Sequence, residues 1–261
     1  MGPFPRMTIE IRQFPCLSDN YGYLVRDVAT GACAAIDTPD AAEIDRQLDA
    51  AGWRLTHILN THHHFDHAGG NEALKAKWGA TVIGPRGEAA RIPGIDREVG
   101  DGDVVELGES RAQVFDTPGH TAGHIIYHFA DDGAAFVGDT LFALGCGRLF
   151  EGTPAQMWAS LQKLAGLPPE TKVYCAHEYT QANARFALTV DPDNAALVAR
   201  AAEIDRLRAE GTPTVPTTIA LELQTNPFLR AANDDVKRAI GMSGADDVGA
   251  FAEVRKRKDV F

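Results

Sequence analysis

The segment Thr61-His62-His63-His64-Phe65-Asp66-His67 gathers four of the chain's nine histidines and one aspartate in a single short stretch. Residues two apart in an extended segment point to the same side, so His62 and His64 can meet one ion while His63 points away. A turn after them lets Asp66 and His67 face a second ion nearby. Imidazole and carboxylate suit zinc, iron or manganese in a hydrolytic site. Packing several imidazoles together leaves donors and acceptors unsatisfied unless a metal takes them, so the segment reads as a metal site. Three further candidates stand at strand ends or turns: His120 in Thr117-Pro118-Gly119-His120-Thr121, Asp139 in Val137-Gly138-Asp139-Thr140, and His177 in Cys175-Ala176-His177-Glu178. A single histidine at a strand end is usually just buried and hydrogen-bonded, and His57, His124 and His128 read that way. Asp66 taken alone also reads as a cap for a helix starting near Asn71.

The elements that must position these groups are legible in outline. Ile9 to Phe14, Tyr21 to Arg26 and Cys33 to Asp37 read as strands separated by Asp-Asn and Thr-Gly turn signals. Asp40 with Glu43 forms a capping-box pattern, Ile44, Leu48 and Ala51 share a helical face, and Gly52 ends that helix. Thr56 to Asn60 is a strand that delivers the histidine cluster. Further strands are expected at Thr81 to Gly84, Val104 to Leu107, Arg111 to Thr117, His124 to Ala130, Ala134 to Gly138 and Lys172 to Cys175. Thr153, Pro154 and Gln156 open a capped helix reaching Leu164. After Glu178 the texture changes: Asn194 to Glu210 reads as a long amphipathic helix, Asp234 to Ile240 and Asp247 to Lys258 as helices, and Gly211 to Thr217 as a loop. A mixed α/β domain over residues 1–178 and a helical appendage over 179–261 follow.

Composition narrows the function. The chain has 261 residues, 44% hydrophobic and 23% charged, as in an ordinary globular protein. A formal net charge of −11 argues against a nucleic-acid partner, and no apolar run suggests a membrane span. Cys16, Cys33, Cys146 and Cys175 are scattered, without a C-x-x-C pair, so neither a thiolate zinc site nor a disulfide framework is expected, and a reducing cytoplasm is. Met1 to Arg6 lacks the apolar stretch of a secretory signal and reads as a short extension ahead of Met7.

H-x-H-x-D-H, followed by T-P-G-H-T, a G-D-T strand end and A-H-E-Y-T, resembles the metallo-β-lactamase superfamily. The resemblance implies an αββα sandwich with a small C-terminal α-helical domain. It also implies two divalent metal ions, zinc first with iron or manganese as alternatives. His62, His64 and His120 would hold metal 1, and Asp66, His67 and His177 metal 2, with Asp139 bridging. Zinc β-lactamases generally lack an aspartate bridge. Asp37 resembles a carboxylate that buttresses the ligand loop; an ordinary surface aspartate ahead of Thr38-Pro39 is the other reading.

Within the superfamily the chain is similar to glyoxalase II from Phe14 to Phe261. The residues that carry this likeness are Gly145-Cys146-Gly147-Arg148-Leu149-Phe150-Glu151-Gly152-Thr153, His177-Glu178-Tyr179-Thr180, Asn226-Pro227-Phe228-Leu229-Arg230 and the ending Arg255-Lys256-Arg257-Lys258-Asp259-Val260-Phe261. The likeness implies hydroxyacylglutathione hydrolase activity: a metal-bridging hydroxide hydrolyses S-D-lactoylglutathione to D-lactate and glutathione, in methylglyoxal detoxification. Asp66 and Asp139 would be catalytic, and Arg148, Phe150, Tyr179, Arg255 and Lys258 would contact glutathione. Some members have lysine and tyrosine where this chain has Arg148 and Phe150, so one hydroxyl contact is lost. Arg255 and Lys258 lie three apart on a helix and share a face, which suits one carboxylate of an anionic ligand on an acidic protein. A basic helix end is otherwise just solvated and favourable to the helix dipole. The alternative reading is a glutathione persulfide dioxygenase of the same fold with a single iron. An RNA nuclease is disfavoured by the charge, and a non-enzymatic metal-binding protein by the complete ligand set. A cytoplasmic monomer is expected.

Overall fold

The computed structural model describes residues 8–261, so the extension at Met1 to Arg6 lies outside the described residues. The chain forms two compact units: one made of the described residues up to Asp116 with Ala122–Gly138, the other of Thr117–Thr121 with Asp139–Phe261.

The first unit opens with β1 (Ile9–Cys16), β2 (Asn20–Asp27), β3 (Cys33–Ile36), α1 (Ala41–Ala51), β4 (His57–Leu59), α2 (Phe65–Ala68), α3 (Asn71–Trp78), β5 (Thr81–Pro85) and β6 (Arg97–Val99). The six strands form one sheet in chain order. β1, β2 and β3 pair antiparallel, and β3 to β6 run parallel, joined between β3 and β5 through the helices. Parallel strands need such crossovers, and a helix-covered sheet is apolar along its length. Leu24, Ala35, Ile58 and Val82 accordingly bury against Ile44 and Leu48 of α1 and Leu74 of α3. Each such leucine or isoleucine contributes roughly 1.5–3 kcal/mol on burial. At Gly22 a Cβ would meet the Phe14 ring at 2.4 Å, so only glycine lets the β1–β2 ribbon close there.

The same unit adds β7 (Val104–Leu107), β8 (Ser110–Asp116), β9 (Ile125–Phe129) and β10 (Ala134–Gly138), which pair antiparallel in sequence. Tyr23 of β2 meets Phe136 of β10 edge to face at 5.5 Å, and Tyr127 donates to the Asn60 carbonyl at 2.9 Å. These contacts hold the two sets of strands face to face around the end of β4.

The second unit contains β11 (Leu141–Phe142), β12 (Gly145–Cys146), α4 (Pro154–Ala165), β13 (Lys172–Cys175), α5 (Thr180–Val190), α6 (Ala195–Ala209), β14 (Thr217–Thr218), α7 (Ile219–Thr225), α8 (Asp234–Ala239) and α9 (Asp247–Asp259). β11 and β12 form a short antiparallel hairpin. Thr153 and Gln156 close the expected capping box at α4. Asp40 caps α1, but Glu43 binds Arg46 and Gln47, so that capping box is half-formed. α6 starts at its Asn194 cap and buries a narrow stripe of Leu197, Ala201 and Ile204. Among the described residues no helix is long and apolar enough to cross a membrane.

Candidate metal centre

β4 ends at Leu59, and the chain that follows is fixed by its own polar groups. Asn60 donates to the His67 carbonyl at 2.9 Å and exchanges hydrogen bonds with Asn71, which also accepts from Thr38. Asp37 sits beneath the loop with a left-handed φ of 56°. Its Oδ1 accepts from the Thr61 N–H at 2.7 Å, and its Oδ2 from the Thr61 hydroxyl and His67 Nδ1, both at 2.8 Å. Asp37 is therefore the buttress of the Thr61–His67 loop and not a surface aspartate.

This carboxylate also decides two tautomers. A carboxylate only accepts, so His67 carries hydrogen on Nδ1 and keeps its lone pair on Nε2. The Thr61 hydroxyl gives its hydrogen to Asp37 and so accepts from His62 Nδ1, 3.0 Å away. The His62 Nε2 lone pair is then turned outward. His64 brings its Nδ1 to 3.1 Å from His62 Nε2, and Asp66 Oδ2 lies 3.5 Å from His67 Nε2. Asp37, His62 and His67 also bring one ligand atom each within 4.8 Å of one another.

His63 turns the other way, as alternation requires. Its Nδ1 and backbone N–H both meet the buried Glu88 carboxylate, at 2.6 and 2.9 Å, and its Nε2 lies 3.2 Å from Arg91. His124 is buried and stacks on His62 at 4.7 Å. His57 and His128 are held toward the neutral form by burial, consistent with packing roles.

In the second unit, Asp139 is 7% exposed and presents one oxygen to each of two histidines. Its Oδ2 lies 3.3 Å from His120 Nε2 and its Oδ1 3.4 Å from His177 Nε2. His120 Nδ1 faces the Arg148 carbonyl at 2.9 Å, which only accepts, so Nε2 again keeps the lone pair. Charge-assisted N–H···O bonds run about 2.7–2.9 Å. Two donors sharing a tetrahedral ion at bonds near 2.0–2.1 Å lie about 3.3–3.4 Å apart. The Asp139 contacts have the second spacing. The tautomers and the spacings in each unit fit divalent metal ions.

Thiol chemistry is excluded by the same environment. All four cysteines are buried and free. Burial pushes the thiols of Cys16, Cys33 and Cys175 up to about 12 and that of Cys146 to about 11, so none supplies a thiolate nucleophile near neutral pH.

The expected glutathione contacts all belong to the second unit. Phe150 packs edge-on against His120 at 5.2 Å, and Tyr179 stacks on His177 at 4.7 Å. Gly147 lets the loop lie against Asp139 and His120: a Cβ there would stand 2.0 Å from the Asp139 carbonyl oxygen and 3.1 Å from His120 Nδ1. Arg148 is exposed, with Nε 3.6 Å from Asp259. Arg255 and Lys258 do not behave alike. Arg255 is 6% exposed; its guanidinium donates to the Cys146 carbonyl at 2.9 Å, pairs with Asp259 at 2.9 Å and covers the Phe228 ring. Lys258 lies over Phe186 and Phe261. Burial and the neighbouring Arg255, Arg185 and Arg148 lower its pKa.

Residues 20–177 match the metallo-β-lactamase superfamily, and residues 178–261 match the family described as hydroxyacylglutathione hydrolase C-terminus. The hydroxyacylglutathione hydrolase of Maricaulis maris is 62% identical over 251 residues, covering 96% of this chain and 98% of the relative. The chain belongs to the hydroxyacylglutathione hydrolase family. Among solved structures, ETHE1 from Myxococcus xanthus has a TM-score of 0.69 at 29% identity, over 95% of this chain and 90% of its own. TTHA1623 in a di-iron-bound form has a TM-score of 0.61 at 25% identity, over 84% of this chain and 100% of its own. The fold is the metallo-β-lactamase fold with a helical C-terminal region, as expected from the motifs.

Several buried polar residues that spacing does not single out hold these loops in place. Glu88 anchors His63, and Asn60 with Asn71 locks the loop that follows β4. Glu222, fully buried on α7, accepts from the Leu144 N–H and Asn226 at 2.9 Å each and pairs with Arg200. Polar residues inside short elements carry no periodic signal, so the sequence alone does not point to them.

Proposed function

We propose that the chain hydrolyses the thioester of S-D-lactoylglutathione, with His62, His64 and His120 as ligands of one ion, Asp66, His67 and His177 of the other, and Asp139 bridging. The observation that carries this reading is the Asp139 carboxylate, with one oxygen at ion-sharing distance from each of two histidines. Residues 1–178 form the domain that supplies the ligands, and 179–261 the domain that shapes the glutathione end. When bound, the ions lower the pKa of water from 15.7 to about 7 and polarise the scissile carbonyl.

The chain's own groups do the rest. Asp37 holds two imidazoles in the tautomer that presents Nε2. Asp66, 38% exposed at its side chain, is open to accept the proton. The departing glutathione thiolate, with a thiol pKa near 8.5, needs no strong general acid. Tyr179 and Phe150, each packed on a proposed ligand, line the path of the thiol arm. Lys258 and Arg148 attract its carboxylates. Zinc is the proposed metal, and the di-iron-bound form of TTHA1623 supports iron as the alternative. A monomer is proposed, and the four buried free thiols fit a reducing cytoplasm.

The purified protein is expected to carry two metal equivalents by mass spectrometry and to release free thiol from S-D-lactoylglutathione without consuming oxygen. Oxygen uptake with glutathione persulfide and a single bound iron would replace this reading with the dioxygenase.

The unequal surroundings of Arg255 and Lys258 separate their effects. Lys258→Ala is expected to raise KM roughly tenfold with kcat little changed, since a charge-assisted contact is worth about 1.5–3 kcal/mol and an open site screens it. Arg255→Ala is expected to lower the melting temperature as well, because it also leaves the Cys146 carbonyl without its donor. A simple thioester lacking the glutathione carboxylates separates the two. Its turnover should be unchanged by Lys258→Ala, and an equal loss on both substrates would remove Lys258 from glutathione recognition.

A further inference from the structure

Asn20 begins β2 directly after a tight turn, opposite Cys16 in the β1–β2 register, and is 5% exposed. Its side-chain amide is committed to a single residue. Nδ2 donates to Asp66 Oδ2 at 3.1 Å and reaches the Asp66 backbone carbonyl at 3.4 Å. The second contact has a cause in the helix itself. α2 has four residues, and the N–H of Gly70 that would continue it onto the Asp66 carbonyl turns to Thr38 instead, at 3.0 Å. Asn20 supplies a donor to that helix-end carbonyl. One amide therefore grips both the backbone and the carboxylate of Asp66, whose side chain is otherwise more than a third exposed and has rotamers to lose.

We infer that Asn20 is a positioning residue for Asp66, holding its carboxylate in the orientation that binds the ion shared with His67. The inference rests on the ligand assignment proposed above. Asn20 serves Asp66 as Asp37 serves His62 and His67. Partners of this kind typically contribute 10- to 100-fold in metal affinity. The sequence offers Asp19-Asn20 only as a turn signal, and the turn accounts for the chain reversal. It does not account for an amide buried and aimed at the ligand.

The test is zinc titration of the demetallated full-length protein with Asn20→Ala and Asn20→Leu, beside thermal unfolding of each apo form. Leucine keeps the branched shape and removes the donors; alanine removes both. Both variants are expected to weaken one of two zinc equivalents about 10- to 100-fold and leave the other unchanged, with the apo leucine variant unfolding close to wild type. A merely structural asparagine would lower apo stability and move both equivalents together or neither. Wild-type affinity at both sites in Asn20→Leu, or parallel weakening of both, overturns the role of Asn20. Wild-type protein that binds fewer than two zinc ions overturns instead the ligand assignment beneath it.

Discussion

Asp139→Asn is expected to lose more than about 10³-fold in kcat/KM and to retain a single metal equivalent. The substitution keeps the shape of the side chain and replaces one of two acceptor oxygens by an NH₂ group, which cannot ligate a cation. In the native protein each oxygen has its own histidine, His120 at 3.3 Å and His177 at 3.4 Å. The variant can satisfy only one of those pairings. On the proposed ligand set the other histidine would lose the ion it shares with Asp139, and the ion's positive charge would no longer favour negative charge developing on the scissile carbonyl oxygen. Removing even one neutral oxyanion donor from an enzyme costs about 10²–10³-fold, so losing a cation should cost more. Metal analysis and steady-state kinetics with S-D-lactoylglutathione check the two halves separately, and near-ultraviolet circular dichroism checks that the fold survives. Two bound equivalents with turnover near wild type would take Asp139 out of the bridge.

The histidine-rich loop is legible because its pattern is local. His62, His64, Asp66 and His67 lie within six positions, and alternation alone separates His63 from its neighbours. The outcome at Glu88 bears this out, since His63 is pinned to it at 2.6 Å. Long elements with caps were legible for the same reason: Asp40, Thr153 and Asn194 each stand where the structure has an N-cap. α5 has no readable start, because Tyr179 occupies its N-cap and makes no side-chain cap hydrogen bond. α7 was missed because its seven residues are too few for periodicity to speak. Two-residue strands such as β11 and β12 are defined only by their partners. Arg255 has more partners than helical spacing reveals. Helical spacing pairs it with Lys258, but one guanidinium has enough donors to bind Cys146 and Asp259 together, and tertiary structure decides where they go.

Glu222→Ala is expected to destabilise the protein by about 3–5 kcal/mol, the loss typical when one partner of a buried ion pair is removed. Glu222 is fully buried and Arg200 nearly so, with 8% of its side chain exposed. Alanine leaves that guanidinium without its main counter-charge, and it strips acceptors from the Leu144 N–H, the Thr217 hydroxyl and the Asn226 amide as well. Arg200→Ala should cost less, because the Glu222 carboxylate then keeps three of its four donors. The apolar pair Arg200→Met with Glu222→Leu should recover only part of the loss. Replacing an ion pair by apolar groups is often neutral, but the Leu144 N–H would still be buried without an acceptor. At about 2–4 °C per kcal/mol for a chain approaching this size, the melting temperature of Glu222→Ala should fall on the order of 10 °C. Function should suffer below that temperature too. Leu144 sits at a left-handed φ of 58° in the turn between β11 and β12. Asn226, which Glu222 orients, donates to the Phe142 and Gly145 carbonyls of that turn at 3.2 and 3.0 Å. The turn links Asp139 to the Gly147-Arg148 loop, so loosening it should raise KM for S-D-lactoylglutathione even where the protein is fully folded. Thermal unfolding of the three variants, with kinetics at a temperature where each is native, separates the two effects. Glu222→Ala that melts within about 2 °C of wild type, less than 1 kcal/mol by the same conversion, would mean the carboxylate's partners find water or each other, and the buried network contributes nothing to holding the turn.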